Sequence, residues 1–148
     1  MYKAVIIWET RSGRTEAIAK AIEIGLREQG IEVISMRTMN VEVEELVNYD
    51  AILLGSPTYN TDIVSAMKDV LVEMQEVDLK GKVGAAFGSF GWSGESIQIL
   101  TDRMKNDYRM DVIEPGLKMH GALRLSEPDS DICKAFARII ADRIAGKQ

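Results

Sequence analysis

Residues 10–15 read Thr-Arg-Ser-Gly-Arg-Thr, with three hydroxyls and two guanidinium groups around one glycine, between an apolar run and a helical pattern. Hydroxyls, a glycine that lets the backbone come close, and the free N–H groups of a helix start together make a cradle for a phosphate group. It is not a Walker A loop, because no lysine follows the glycine and the GxxxxGK spacing is absent, and it is not GxGxxG. An ordinary helix start capped by Ser12 or Thr10 would use the same residue types, so this loop alone does not separate the two readings. Two further loops add to it. Gly55-Ser56-Pro57-Thr58-Tyr59-Asn60 and Gly88-Ser89-Phe90-Gly91-Trp92-Ser93-Gly94-Glu95 each follow an apolar run, carry hydroxyls, and place an aromatic, Tyr59 or Trp92, at the tip. A single such ring more commonly packs on a neighbouring helix. Two on adjacent loops, with a phosphate cradle on a third, point to a flat ring with a phosphate tail.

The elements that must position these loops alternate along the chain. Lys3 to Trp8 reads as a buried strand, and Thr15 to Gln29 as a helix with Ile18, Ala21, Ile22 and Gly25 on one face, stopped by Gly30. Glu32 to Met36 is a short strand and Val43 to Val47 a short helix. Tyr49 to Gly55 is the next strand, ended by Ser56-Pro57 because proline cannot continue a central ladder. Asp62 is placed to cap a helix carrying Ala66, Met67, Val70, Leu71 and Met74. Val83 to Gly88 is a strand, Ser96 to Tyr108 a helix with Ile97, Leu100 and Met104 inward, and Asp111 to Leu117 a strand. Pro128 opens a last helix with a stripe of Cys133, Phe136, Ile140 and Ile144. Five strands, each followed by a helix, demand a parallel sheet covered on both faces. The class is doubly wound α/β, in which ligands bind beyond the carboxyl ends of the strands where strand order reverses.

With 148 residues, 46% of them hydrophobic, the chain is long enough for one domain with a proper core and too short for two ordinary ones; one domain over residues 1–148 is expected. The net charge is -5, and the 18 basic residues form no run, which argues against nucleic acid or an anionic membrane as partner. No apolar stretch reaches the ~18 residues needed to span a bilayer. The first residues lack the features of a signal peptide, so the expectation is a cytoplasmic protein. The single cysteine excludes an intrachain disulfide, a CxxC motif and a cysteine-held iron–sulfur cluster, so any redox chemistry must come from a bound organic cofactor. Cys133 reads as core. His120 reads as a loop or surface residue with no visible carboxylate partner, and no histidine and carboxylate cluster offers a metal site.

TxSGxT after the first strand, GSPTYN after the third and FGSFGWSGE after the fourth resemble the three flavin-binding loops of flavodoxins. The last two are especially similar to the flavodoxin-like domain of flavodiiron (A-type) proteins. The match runs from Lys3 to about Gly121, where Gly116 to Gly121 resembles the end of the fifth strand in short-chain flavodoxins. The metallo-β-lactamase-like diiron domain is missing, so its oxygen or nitric oxide reduction is not carried over. The resemblance implies a five-stranded sheet of order 2-1-3-4-5, FMN as cofactor, and electron transfer between redox partner proteins by a monomer.

Carried over by position, Thr10, Arg11, Ser12, Gly13, Arg14 and Thr15 would bind the phosphate. Arg14 stands where flavodoxins often have asparagine, and Arg11 adds a second cation; one of them would pair with the phosphate or face a partner, or both lie solvated on the rim. Ser56, Pro57, Thr58, Tyr59 and Asn60 would line one side and edge of the isoalloxazine. Asn60 takes the place of the glycine whose carbonyl turns to flavin N5 as the semiquinone forms. Ser89, Phe90, Gly91, Trp92, Ser93 and Gly94 would hold the pyrimidine end, with Trp92 stacked on a face. Glu9, Asp62 and Glu95 are the candidate carboxylates that would disfavour an anionic reduced flavin and so lower the second potential, or else be helix-start or surface charges. The acidic net charge would suit basic partner faces.

An alternative on the same fold is an NAD(P)H-dependent quinone or flavin reductase, against which the short loops count. A phosphoacceptor receiver needs an acidic pair after the first strand and an aspartate ending the third; here there is only Glu9, and Gly55-Ser56. A flavin-free module that only binds partners is the remaining reading.

Overall fold

The computed structural model describes residues 1–90, 94–120 and 124–146. Its elements run β1 (Lys3–Trp8), α1 (Arg14–Glu28), β2 (Glu32–Arg37), β3 (Ala51–Gly55), α2 (Ser65–Met74), β4 (Val83–Phe90), α3 (Glu95–Asp102), β5 (Asp111–Val112), β6 (Leu117–His120) and α4 (Glu127–Ala145). All strand pairings are parallel, in the order β2-β1-β3-β4-β5, with β6 also on β4. This is the flavodoxin-like arrangement.

Because a strand turns alternate side chains to opposite faces, β1 feeds two cores. Ala4 and Ile6 join Leu53, Ala85 and Phe87 beneath α1 and α4, with Ile18, Ile22, Phe136 and Ile140. Val5 and Ile7 join Ile52, Leu54 and Ala86 beneath α2 and α3, with Met67, Leu71 and Leu100. Residues buried on both faces explain why the strands read as continuous apolar runs rather than alternating ones. On the first face α1 and α4 lie against each other closely enough that a Cβ at Gly25 would stand 2.8 Å from that of Ala137, and Lys134 pairs with Glu28 at 3.0 Å.

Four departures from the sequence reading have local causes. Four α-helices form rather than five: after β2 the chain makes 3-10 turns at Thr38–Asn40 and Val43–Asn48. The expected fifth strand, Asp111 to Leu117, is two strands, β5 and β6, separated by Ile113 to Gly116, where Pro115 has no N–H to give a ladder. The helix expected to reach Tyr108 is α-helical only to Asp102, and a π turn at Arg103–Asp107 finishes it. There the Tyr108 N–H meets the Arg103 carbonyl at 3.3 Å while its hydroxyl donates to the Leu71 carbonyl. Asp62 does not cap α2, whose N-cap is Val64 without a side-chain bond; its carboxylate accepts the Ile63 N–H at 2.7 Å and pairs with Lys68 at 2.6 Å.

Candidate functional site

The ends of β1, β3 and β4 lie side by side at the carboxyl edge of the sheet, since these strands are neighbours and the ladder runs on past the ends of β1 and β3. Glu9 N–H donates to the Gly55 carbonyl at 3.0 Å, and Ser56 N–H to the Phe87 carbonyl at 3.2 Å. The edge lies where connections leave β1 and β3 toward opposite faces, the crevice in which such sheets take ligands.

The first loop is not an ordinary capped helix start. The N-cap of α1 is Gly13, at φ 89°, a left-handed conformation that suits glycine and offers no side chain to the N–H groups beyond it. The hydroxyls on either side are directed elsewhere. Thr10 Oγ1 accepts the Gly13 N–H at 2.8 Å, keeping its own proton free to donate. The Thr15 and Ser89 hydroxyls meet each other at 3.0 Å, buried. Among the described residues no acceptor meets the N–H groups of Arg11, Ser12, Arg14, Thr15 or Glu16. Open donors at the positive end of a 15-residue helix, with the exposed Ser12 hydroxyl and Arg14 beside them, are the chemistry of a phosphate monoester site. The neutralisation of Ser12 and Thr10 as caps thus follows from one glycine.

The loop is anchored from below by Glu9, whose role as an anchor the sequence did not reveal. Its carboxylate accepts the Thr10 N–H at 3.0 Å, the Thr38 hydroxyl at 2.6 Å and the Arg37 guanidinium. Burial pushes this carboxyl up, but the bonds from Arg37, Thr38 and Thr10 outweigh it and hold it below the ordinary carboxylate value. Arg37 and Thr38 come from the end of β2, too far along the chain for any local pattern to announce the contact.

Ser56 and Thr58 are fastened to the first turn of α3, and Ser56 also to the residue before α2. Ser96 Oγ donates to the Ser56 carbonyl at 2.9 Å, Ser96 N–H to Thr58 Oγ1 at 3.0 Å, and Val64 N–H to Ser56 Oγ at 3.3 Å. The backbones approach so closely that a Cβ at Gly88 would stand 2.3 Å from the Ser56 carbonyl oxygen. Tyr59 and Asp62 exchange N–H···O bonds of 2.8 and 2.9 Å around Asn60 and Thr61, both at positive φ (50° and 61°), the signature of a type I′ turn. The turn holds Tyr59 at the surface, 39% exposed, with the Arg11 guanidinium 4.4 Å from its ring centroid. Ser89 and Phe90 end β4, and the Phe90 ring stacks on exposed His120 at 4.4 Å between centroids. Gly94 is the N-cap of α3, covered by the stem of Lys118. Gly91, Trp92 and Ser93, expected at the pyrimidine end, lie outside the described residues, as does Gly121.

The family model for flavodoxin matches residues 6–131 of this chain. The chain belongs to the flavodoxin family. Members of this family bind FMN and transfer electrons to redox partners. A type A flavoprotein of Rhodobacter capsulatus is 32% identical over 97% of this chain, which spans 33% of that protein. A flavodoxin of Clostridium saccharobutylicum is 37% identical over 67% of this chain and 64% of its own length. The solved structure of a flavodoxin from the domain Archaea superposes with a TM-score of 0.89 at 31% identity, covering 97% of this chain and 99% of that one. The chain spans about a third of the length of the type A flavoproteins it matches. Among the described residues no helix is long and apolar enough to cross a membrane.

Proposed function

We propose that this chain is a flavodoxin-type carrier that shuttles low-potential electrons between a donor and an acceptor protein, as a monomer in the cytoplasm. The observation that carries the reading is the uncapped start of α1. Its hydroxyls are turned to other partners or left open, and the backbone N–H groups of Arg11, Ser12, Arg14 and Thr15 have no partner among the described residues. The phosphate would be held by Thr10, Arg11, Ser12, Gly13, Arg14 and Thr15, through backbone N–H groups and the hydroxyls of Thr10 and Ser12, with Arg11 giving its backbone N–H alone while its guanidinium lies on the Tyr59 ring. Ser56, Pro57, Thr58, Tyr59 and Asn60 would line the ring's edge and one face, and Ser89, Phe90, Gly91, Trp92, Ser93 and Gly94 its pyrimidine end. Bound FMN supplies the one- and two-electron chemistry. The protein binds it, orients it and keeps water from the face covered by Tyr59.

Titrating the apoprotein with FMN and with riboflavin tests the phosphate cradle. FMN is expected to bind roughly 100-fold tighter, about 2.7 kcal/mol; equal affinity for the two, or no binding, overturns the assignment. An anaerobic titration of the loaded protein tests the carrier role. Two resolved one-electron steps support it, and a single two-electron step moves the reading to a reductase.

A further inference from the structure

Among the described residues at this edge, Glu9, Asp62 and Glu16 are paired with cations, whereas three cations have no carboxylate partner. Glu9 is held by Arg37, Thr38 and the Thr10 N–H. Asp62 pairs with Lys68 at 2.6 Å and Glu16 with Lys20 at 3.3 Å. Glu95 opens α3 with its Oε2 enclosed by protein. Arg11, Arg14 and Lys118 are exposed, and among the described residues no carboxylate lies within ion-pair distance of them. Among the described residues, only Arg11 of the three is held over an aromatic ring, its guanidinium 4.4 Å from the centroid of Tyr59. A planar, always-charged guanidinium loses little in such a stack and is fixed by it, whereas a free surface arginine samples many positions. The stack also turns Arg11 across the crevice, from the first loop to the third.

We propose that Arg11, pinned on Tyr59, sets the electrostatic sign of the site: a fixed positive charge beside the ring that favours the anionic, fully reduced flavin and raises the potential of the second electron. This reverses the effect expected of acidic groups at the mouth, and it rests on the FMN reading above. The balance is simple. At neutral pH the second electron, from a donor protein or from dithionite, adds one negative charge to the bound flavin without a proton, and a nearby cation stabilises that charge.

The test compares the native protein with Arg11→Gln, which removes the charge, and Arg11→Lys, which keeps the charge but loses the planar stack. Each is titrated with FMN in the oxidised state and then reduced potentiometrically with dithionite. In Arg11→Gln the equilibrium constant for the second electron is expected to fall threefold to tenfold, roughly 30 to 60 mV at 59 mV per tenfold for one electron, with the dissociation constant of oxidised FMN changed less than threefold. Arg11→Lys is expected to fall between the two. Equal second-step constants in native protein and Arg11→Gln overturn the proposal. So does a loss of FMN affinity beyond tenfold with the second step unchanged, which would place Arg11 on the phosphate. A native protein that binds no FMN overturns the underlying reading instead.

Discussion

The hydroxyls of Thr15 and Ser89 lie 3.0 Å apart, both buried, and join the first turn of α1 to the end of β4. Two loops 74 residues apart are thereby held in one register. Replacing either residue leaves the other as an unpaired buried hydroxyl, which costs about 1–3 kcal/mol. Thr15→Val and Ser89→Ala are each expected to lower the unfolding free energy, read by urea titration, by that amount, and the double variant to lose less than the sum. Additive losses in the double-mutant cycle would show that the two do not act as a pair.

Gly13 sits at φ 89°, where a Cβ is strained. Gly13→Ala is expected to cost about 1 kcal/mol in stability and to weaken FMN binding at least tenfold while leaving riboflavin binding unchanged. Calorimetric titration with both ligands checks this, and an equal loss for both would mean that the glycine serves the fold rather than the phosphate.

Thr61 is a β-branched residue at φ 61° in the second central position of a turn that prefers glycine there. Relief of that strain outweighs glycine's greater chain entropy, so Thr61→Gly is expected to stabilise the protein by about 1 kcal/mol. A lower thermal midpoint in that variant would contradict the account.

Three loops and the parallel α/β class were legible because their signals are local: apolar runs of strand length, helix-period stripes, glycine and proline at strand ends. The candidate loops stood out in the sequence for the same reason, each being a short string after a strand. What escaped was set by distance or by competition. Nothing near Glu9 announces that Arg37 and Thr38 will bind its carboxylate, nor does any motif place the Arg11 guanidinium on Tyr59. Asp62 has the right type and position for a helix cap, but the tight turn at Asn60 and Thr61 claims it first. The fifth strand looked continuous because Val112 and Ile113 are apolar and Leu117 follows, while Pro115 interrupts the ladder.

Glu9 also gives the protein a pH signature. Its carboxyl is held below the ordinary value of 4.5, so in the folded state it stays ionised to lower pH than in the unfolded chain. Its contribution to stability is therefore fully present above pH 4.5 and is lost as the pH falls through the lowered folded value. Glu9→Gln is expected to flatten the acid limb of a stability–pH curve. An unchanged slope between pH 5 and 3 would remove Glu9 from the account.

Cys133 is wholly buried with its sulfur 3.5 Å from that of Met119, and burial, with Asp129 nearby, pushes its thiol up to about 11. The native protein is expected to react with a thiol reagent only at the rate of global unfolding, and a fast stoichiometric reaction at pH 8 would contradict this.

The packing of α1 on α4 has a consequence for biosynthesis. The helix that carries the phosphate loop is translated well before the helix it packs beside, whose Ala137 and Lys134 lie against its Gly25 and Glu28. On the ribosome the cradle is therefore translated early and completed late. A nascent chain halted before residue 127 carries the loop's hydroxyls and glycine but lacks α4, the helix packed beside α1, and is expected to bind FMN more weakly than the whole chain described here.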